Sequence, residues 1–557
     1  MTRSGRPPRH LDHDAVGSPL VSLPGLNRGP AGWRVRLIVG PAAASCPRGQ
    51  ILAWAAVNIL ARCNDVIGEL DLHCADAIVL TWLPDLSSQG MPGEPATPVR
   101  RLPAALNRLA AAVFDPADDS AVRVQVTICP PSEGWALATP TASAGEDPAS
   151  SDPGTLTLVL GVLGAADHQS ARPGDRIWLV TADNWTMCVA TASGLSQASE
   201  RLPRLDAPGT VMLAAWLAAC VAVGEVFKHI GDLDPQRGSR SDVISANLWT
   251  LSGGPGAAHC VGPQGPGDAP VIPPHYLVGA GAVAEAYLAA LATSAVRTQI
   301  AVLDDDFISD KNLNRHLLAG PADLEHPKAA LAARRLNGST VQVWPLPQRW
   351  QDFVATPHAQ RGVRPDALAA DDDQLHLRLA VSAVDRNDAR TSIAAIRPDL
   401  VIGGSTNGLS AEVSRYEAGS PWQCLACANP PEITMSLEKA ADELRHMSQA
   451  ELDVVIDGHG LDGDAVRAYL RSPECGSLGE RDVNRFRSAG SQPDWSVAFA
   501  SAASGVLTAA RMIKEIAGDD AEPAAMVASG DTMRLSFLSS RLFRTAHRRR
   551  PGCPHCS

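Results

Sequence analysis

Residues 275–306 read HYLVGAGAVAEAYLAALATSAVRTQIAVLDDD, and this stretch decides the fold. His275–Val278 is a short apolar run that stops at a glycine turn. AVAEAYLAALATS follows with no helix breaker, and TQIAVL is a second apolar run closed by Asp304. Short apolar runs bounded by turn residues read as buried strands, and the longer Ala/Leu-rich run between them reads as a crossover helix. Strand, glycine turn, helix and strand in that order predict an α/β unit with a parallel sheet. Gly279-Ala280-Gly281-Ala282-Val283-Ala284 fits G-x-G-x-x-A, in which glycine allows a tight turn and the helix N-terminus offers N–H groups to an anion. A glycine turn that holds no ligand fits the same residues. Asp304, 23 residues after Gly281, suits a nicotinamide dinucleotide as well as ATP.

Outward toward the N-terminus the plan recurs. WRVRLIVG (33–40) reads as a strand ending in glycine, GQILAWAAVNILARC (49–63) as a helix and IGELDL (67–72) as a strand. TLTLVLGV (155–162) and RIWLVTA (176–182) add a further pair of strands. Each half closes with a similar helix, in 209–230 and in 505–516. Gly/Pro/Ser-rich stretches at 138–154 and 231–270 read as loops, the second separating the halves. The expected organisation is a polar, Pro-rich disordered tail at 1–30, one α/β unit over 31–265 and a second that begins at 266. The second is interrupted by a polar insertion at 431–500 and resumes at 501–557.

The chain of 557 residues is 45% hydrophobic and 19% charged, which is enough for more than one sizeable core. A formal charge of -12 argues against nucleic acid as a partner. The start, MTRSGRPPRHLDHD, has no apolar segment of the secretory kind. The uncharged stretch between Asp206 and Glu225 is long for a buried helix and can be read as a membrane span; its alanine content and the lack of a second span favour a core helix. Twelve cysteines without a secretion signal point to reduced thiols, metal or catalysis, and the expectation is a cytoplasmic protein with no membrane partner.

The segment after the second strand separates the nucleotide readings. Asp304-Asp305-Asp306-Phe307-Ile308-Ser309-Asp310-Lys311-Asn312-Leu313-Asn314-Arg315-His316 matches D-x-D-x-[VI]-x-x-x-N-L-x-R. Lys328, one of five lysines in the chain, lies thirteen residues past Arg315. Val381-Ser382-Ala383-Val384-Asp385 is a strand running to an acid, with Arg390 five residues on. Together these resemble the ThiF/MoeB/E1 family, which adenylates the C-terminus of ubiquitin-like and sulfur-carrier proteins. The resemblance covers about 271–430 and 500–557. It implies that Gly279, Gly281 and Ala282 face the phosphates and that Asp304, Asp306 and Asn312 belong to the ATP site. Arg315 and Lys328 would neutralise the triphosphate, and Asp385 would act with Mg²⁺. Fixed cations suit this reaction because negative charge grows on the α-phosphoryl group and on leaving pyrophosphate. Ala282, Lys311, His316 and Arg386 stand where the family usually has Gly, Ser, Gln and Asn.

Cys424-Leu-Ala-Cys427 and Cys553-Pro-His-Cys556 are two C-x-x-C pairs, a spacing that clamps tetrahedral Zn²⁺. The long gap between them matches the family, in which zinc ties the segment after the catalytic unit to the C-terminal end. Cys475 is the one other cysteine after residue 271. Its Pro/Gly-rich surroundings and Arg471 and Arg481 favour an exposed thiolate. E1-like enzymes carry their thioester cysteine in this region; an incidental surface thiol is the plain alternative. The seven first-half cysteines read as small core residues. Arg548–Arg550 reads as a solvated charge patch, His326 as a solvated loop histidine, and Asp457-Gly-His459 as a turn.

The first half keeps the strand–turn–helix plan but lacks the D-x-D…N-L-x-R run and a matching lysine. The resemblance therefore implies two Rossmann-like adenylation units with mostly parallel sheets, inactive then active, plus a cysteine-bearing insertion and a four-cysteine zinc site. It further implies an E1-like enzyme, of the plan found in bacterial ubiquitin-like conjugation and antiphage systems, acting as monomer or homodimer. With Mg²⁺ and ATP it would adenylate a ubiquitin-like (β-grasp) protein, capture it on Cys475 and pass it to an E2-like carrier. The alternative within the family is adenylation of a sulfur carrier or peptide without such transfer. Family members often borrow an arginine from the neighbouring unit, and the sequence singles out none here.

Overall fold

The computed structural model describes residues 33–63, 67–86, 101–113, 123–129, 156–161, 177–191, 194, 202–230, 241–256, 264–356, 378–429, 441–442, 444–458, 463–471, 497–517, 532–546 and 548–556. Among these residues, sixteen strands form two eight-stranded sheets. The first holds β1 Trp33–Val39, β2 Ile67–Ala75, β3 Arg123–Cys129, β4 Leu156–Leu160, β5 Ile177–Ala182, β6 Thr186–Thr191, β7 Val243–Asn247 and β8 Ser252–Pro255. The second holds β9 His275–Val278, β10 Thr298–Leu303, β11 Val341–Leu346, β12 Leu379–Ser382, β13 Leu400–Thr406, β14 Ser410–Glu417, β15 Thr532–Ser536 and β16 Arg541–Thr545.

The two sheets share one topology. Their orders are β3-β2-β1-β4-β5-β6-β7-β8 and β11-β10-β9-β12-β13-β14-β15-β16. In each, the first five strands in spatial order are parallel and the last three run antiparallel. The mostly parallel α/β plan is thus observed. The 231–270 stretch differs from expectation. β7 and β8 form within it, because β7 pairs with the exposed flank of β6 and so satisfies backbone groups that a loop would leave open.

The helices of eight residues or more are α1 Pro47–Ala61, α2 Leu102–Val113, α3 Leu213–Ile230, α4 Ala282–Thr293, α5 Lys328–Arg335, α6 Asn387–Ala395, α7 Gln449–Gly458, α8 Gly463–Arg471 and α9 Ala498–Ala517. α1 packs on α3, α4 packs on α9, and α3 and α9 pack on each other, joining the halves. Alanine lets these helices approach closely. At Gly505 in α9, a Cβ would meet Val283 O and Ala286 Cβ at 2.5 Å. Larger side chains fill the remaining seam, with Trp54 against Trp216, Phe227 against Phe499 and Phe499 against Phe537 at ring separations of 5.5, 5.4 and 4.8 Å. One apolar cluster consequently spans both sheets.

α3 is the one described helix long and apolar enough to cross a membrane, and 94% of its 18-residue apolar window is buried. Its apolarity on every face is explained by contact with α1, α9 and the first sheet on its different sides. Of the first-half cysteines, Cys46, Cys63, Cys74, Cys188 and Cys220 are buried, as small core residues should be. The tail at 1–30, Cys475 and His459 lie outside the described residues.

Candidate functional site

The second sheet reverses strand order between β9 and β12, and the loops after β9, β10 and β12 open there. Such a switch point leaves a crevice at the C-terminal edge of a parallel sheet. Gly279 turns into it with φ +93, donates its N–H to Leu303 O at 2.8 Å and leaves no room for a side chain: a Cβ would lie 2.7 Å from Ala383 O. Ala383 N–H bonds Val278 O at 2.9 Å, closing the turn against the β12 loop. Gly281 is the N-cap of α4 with no side-chain cap, so the first-turn N–H groups face the crevice without a competing side chain.

Asp304 binds the turn directly. Its Oδ2 accepts from Ala280 N–H at 2.6 Å and its Oδ1 from Asp306 N–H at 2.8 Å. Burial raises its pKa, a cost that nearby Lys328 offsets in part. Lys328 opens α5 with its side chain largely buried, and its Nζ lies 2.9 Å from Asp306 Oδ2. Asn312 is buried; its Oδ1 accepts from Ser309 N–H and Oγ–H, which shapes the N-L-x-R turn. Arg315 donates to Lys311 O at 2.9 Å and Asn314 Oδ1 at 3.0 Å, within that same turn. Asp385 is exposed just past β12, while Arg390 bonds Asn387 and Asn429. Gly279, Gly281, Ala282, Asp304, Asp306, Lys328 and Asp385 therefore all sit on the loops or helix starts that follow β9, β10 and β12.

The same frame in the first sheet carries different residues. Val39 pairs with Cys74 as Val278 pairs with Leu303, and the isolated bridge Ile78–Arg101 repeats Phe307–Pro327. Leu102 N–H bonds Ala77 O as Lys328 N–H bonds Asp306 O, at 2.9 and 3.0 Å. Asp304, Asp306 and Lys328 thus correspond to Ala75, Ala77 and Leu102. The start of α1 is also blocked, since Pro47 lacks an N–H and Cys46 Sγ accepts from Gly49 N–H at 3.4 Å.

Three groups outside the sequence expectation hold the N-L-x-R segment. Glu285, the fourth residue of α4, accepts from Leu318 N–H at 2.7 Å and pairs with buried His316 at 2.8 Å. Burial lowers the His316 pKa, so the ring is a neutral donor to that carboxylate. Arg62, from the end of α1, donates to Leu313 O at 2.6 Å and Ala319 O at 2.8 Å, and Asn58 donates to Leu317 O at 2.9 Å. Burial pulls Arg62 down to about 10, so it stays charged at neutral pH. The available signal is Asn58 and Arg62 four residues apart, on one face of a helix that is otherwise apolar from Ile51 onward.

At the other flank Cys424 Sγ lies 3.8 Å from Cys553 Sγ and Cys427 Sγ 3.4 Å from Cys556 Sγ; all four sulfurs lie within 4.8 Å of one another. Tetrahedral Zn–S bonds of about 2.3 Å require sulfurs about 3.8 Å apart, so the set fits zinc. Burial opposes ionisation at Cys427, but the Arg550 N–H and the neighbouring thiols hold it down at about 6. Contrary to expectation, the arginine run is not simply solvated: Arg549 donates to Cys556 O at 2.7 Å and Arg550 to Ala426 O at 3.3 Å, bracing both C-x-x-C segments. His326 is exposed, as expected.

Among known proteins, the ThiF family matches residues 275–555 and the BilD N-terminal domain matches residues 112–246. The uncharacterized protein y4jF of Sinorhizobium fredii (strain NBRC 101917 / NGR234) is 23% identical over 387 residues, 62% of this chain and 66% of that protein. The chain thus spans just under two thirds of that relative's length. Crystal structures of E. coli MccB with MccA-N7isoASN and with ATP superpose with TM-scores of 0.31 and 0.29 at 13% and 15% identity. Each covers 51% of this chain and 66% of the MccB chain. Because the family match takes in half of the chain and every residue of the crevice described above, the protein belongs to the ThiF family.

Proposed function

We propose that the second unit binds Mg²⁺·ATP and adenylates the terminal carboxylate of a ubiquitin-like protein, and that the first unit binds no nucleotide. The observation that carries this reading is the meeting of the Gly279 turn, Asp304, the Asp306–Lys328 pair and Asp385 at one strand-order reversal. Asp304 keeps a lone pair on each oxygen for ribose hydroxyls. The Gly281 helix start and Lys328 offer positive charge to phosphate, and Arg315 adds a guanidinium. Asp385, exposed at the mouth, would hold Mg²⁺, which neutralises charge on the leaving pyrophosphate. Ala75, Ala77 and Leu102 at the matching positions supply none of this.

Cys424, Cys427, Cys553 and Cys556 would hold one structural Zn²⁺, with no open position for catalysis. Cys475 would attack the acyl-adenylate, its thiolate displacing AMP to form a thioester for an E2-like carrier. The same reading assigns the chain to the cytoplasm.

ATP–pyrophosphate exchange, measured with a candidate β-grasp protein ending in glycine, tests the first step. Exchange by the full chain that is lost in Asp385→Ala supports the assignment, and full exchange in that variant removes it. Cys475→Ala should keep exchange while losing a thiol-sensitive adduct with the small protein. Absence of such an adduct in the parent chain would leave it as an adenylating enzyme for a carrier or peptide, and an adduct retained in the variant would remove Cys475 from the second step.

A further inference from the structure

We infer that Arg62 of the first unit is a positioning residue for Arg315 of the second, so that the unit without a nucleotide site sets the phosphate affinity of the other. The inference rests on the nucleotide reading above and assigns a task to the first unit. Arg62 is 3% exposed, which demands acceptors for its charge. Those acceptors are the carbonyls of Leu313 and Ala319, at 2.6 and 2.8 Å, with Asn58 Oδ1 on its Nε at 2.9 Å. Asn58 adds Leu317 O at 2.9 Å. Three carbonyls of one seven-residue segment, 313–319, are thus gripped from the opposite half of the chain.

Arg315 lies inside that segment. Its guanidinium is oriented by Lys311 O and Asn314 Oδ1, acceptors on the same turn. The turn is held from its other side by Glu285 through Leu318 N–H and His316. Arg62 is buried and gives its donors to the backbone carbonyls of the turn, so it acts through the turn rather than on a ligand. Lysine in its place keeps the charge but cannot fork to two carbonyls.

Calorimetry of the full chain with Mg·ATP and with AMP tests this, using Arg62→Lys, Arg315→Ala and the double variant. A misplaced Arg315 weakens contact with the outer phosphates, so Arg62→Lys should lower Mg·ATP affinity about tenfold and AMP affinity less than about twofold. In the Arg315→Ala background Arg62→Lys should then change nothing. Equal losses for both nucleotides, or additive effects in the double variant, overturn the inference. Should Arg62→Lys not fold, Asn58→Ala replaces it, with a smaller loss of the same selectivity expected and an unselective or absent loss overturning it. Wild-type protein that binds neither nucleotide overturns the nucleotide reading, and this inference with it. Wild-type protein that binds Mg·ATP while the variants match it overturns this inference alone.

Discussion

Lys328 Nζ stands 2.9 Å from Asp306 Oδ2, and the two positions that repeat this pair in the first sheet are Leu102 and Ala77. The lysine side chain is 10% exposed while its partner carboxylate is 69% exposed. The ammonium is therefore tethered at one edge of the crevice by a group that water already solvates. A pair of this kind contributes at most about 1 kcal/mol to folding, so removing the charge should cost little stability while testing the proposed phosphate contact.

Lys328→Met follows from that. The aliphatic stem is preserved and the charge is lost, so the thermal midpoint should move by no more than about 2 °C. Affinity for Mg·ATP should fall at least about tenfold, with AMP affected less, as expected for a lost phosphate contact. Calorimetry reads both, and an unchanged Mg·ATP affinity would remove Lys328 from the site.

The two glycines of the turn should separate folding from binding. Gly279 has φ +93 and no room for a Cβ, so Gly279→Ala should cost about 2 kcal/mol or more in denaturant unfolding. Gly281 has φ -74, and a Cβ there would meet no atom within 4 Å. Gly281→Ala should leave stability within about 0.5 kcal/mol of the parent. The added methyl points into open crevice, so Mg·ATP affinity should still fall. Unaltered affinity in this variant would show that no phosphate approaches α4.

Much of this arrangement is legible in the sequence because each piece is local. A strand, a glycine turn, an uninterrupted helix and a strand-end acid are written within 275–304, and the cysteine pairs announce themselves by spacing. The antiparallel strands β6–β8 and β14–β16 are less legible, since their partners are set by sheet edges and not by local pattern. That is why 243–255, rich in Gly and Ser, reads as loop. Arg62 and Asn58 are hidden for a different reason. Their acceptors are backbone carbonyls about 250 residues away, and no residue type at 313–319 signals that its carbonyl needs a donor. The equivalence of Ala77 with Asp306 likewise emerges only from matched strand registers and bridges.

The cysteine cluster should bind one zinc per chain. With Sγ atoms 3.4 and 3.8 Å apart in crosswise pairs, removal of the ion leaves thiolates facing each other and should release the 548–556 segment from 422–428. Elemental analysis should give a zinc stoichiometry near one, lost in Cys553→Ser. Chelation should increase proteolytic cleavage before residue 553 while leaving Mg·ATP binding intact, because the cluster contributes no group to the crevice. A folded, protease-resistant chain without zinc would contradict the clamp.

Acid should weaken the fold through His275. This residue is buried in β9, with Nδ1 donating to Pro273 O at 2.9 Å and Nε2 accepting from Tyr287 O–H at 2.8 Å, which fixes the neutral ring. Burial pulls its pKa from 6.5 down to about 4. The unfolded chain therefore takes up a proton near pH 6.5 that the folded chain refuses until about pH 4. Its stabilising contribution is complete above the unfolded value and declines as pH falls through this window. Between pH 7 and pH 5 the loss amounts to about 2 kcal/mol. Buried His316, shifted in the same direction, adds to it. His275→Gln cannot titrate and can still engage both partners, so its urea midpoint should fall less between these pH values than that of the parent. Parallel falls in the two proteins would mean that His275 is protonated in the folded state already at pH 5.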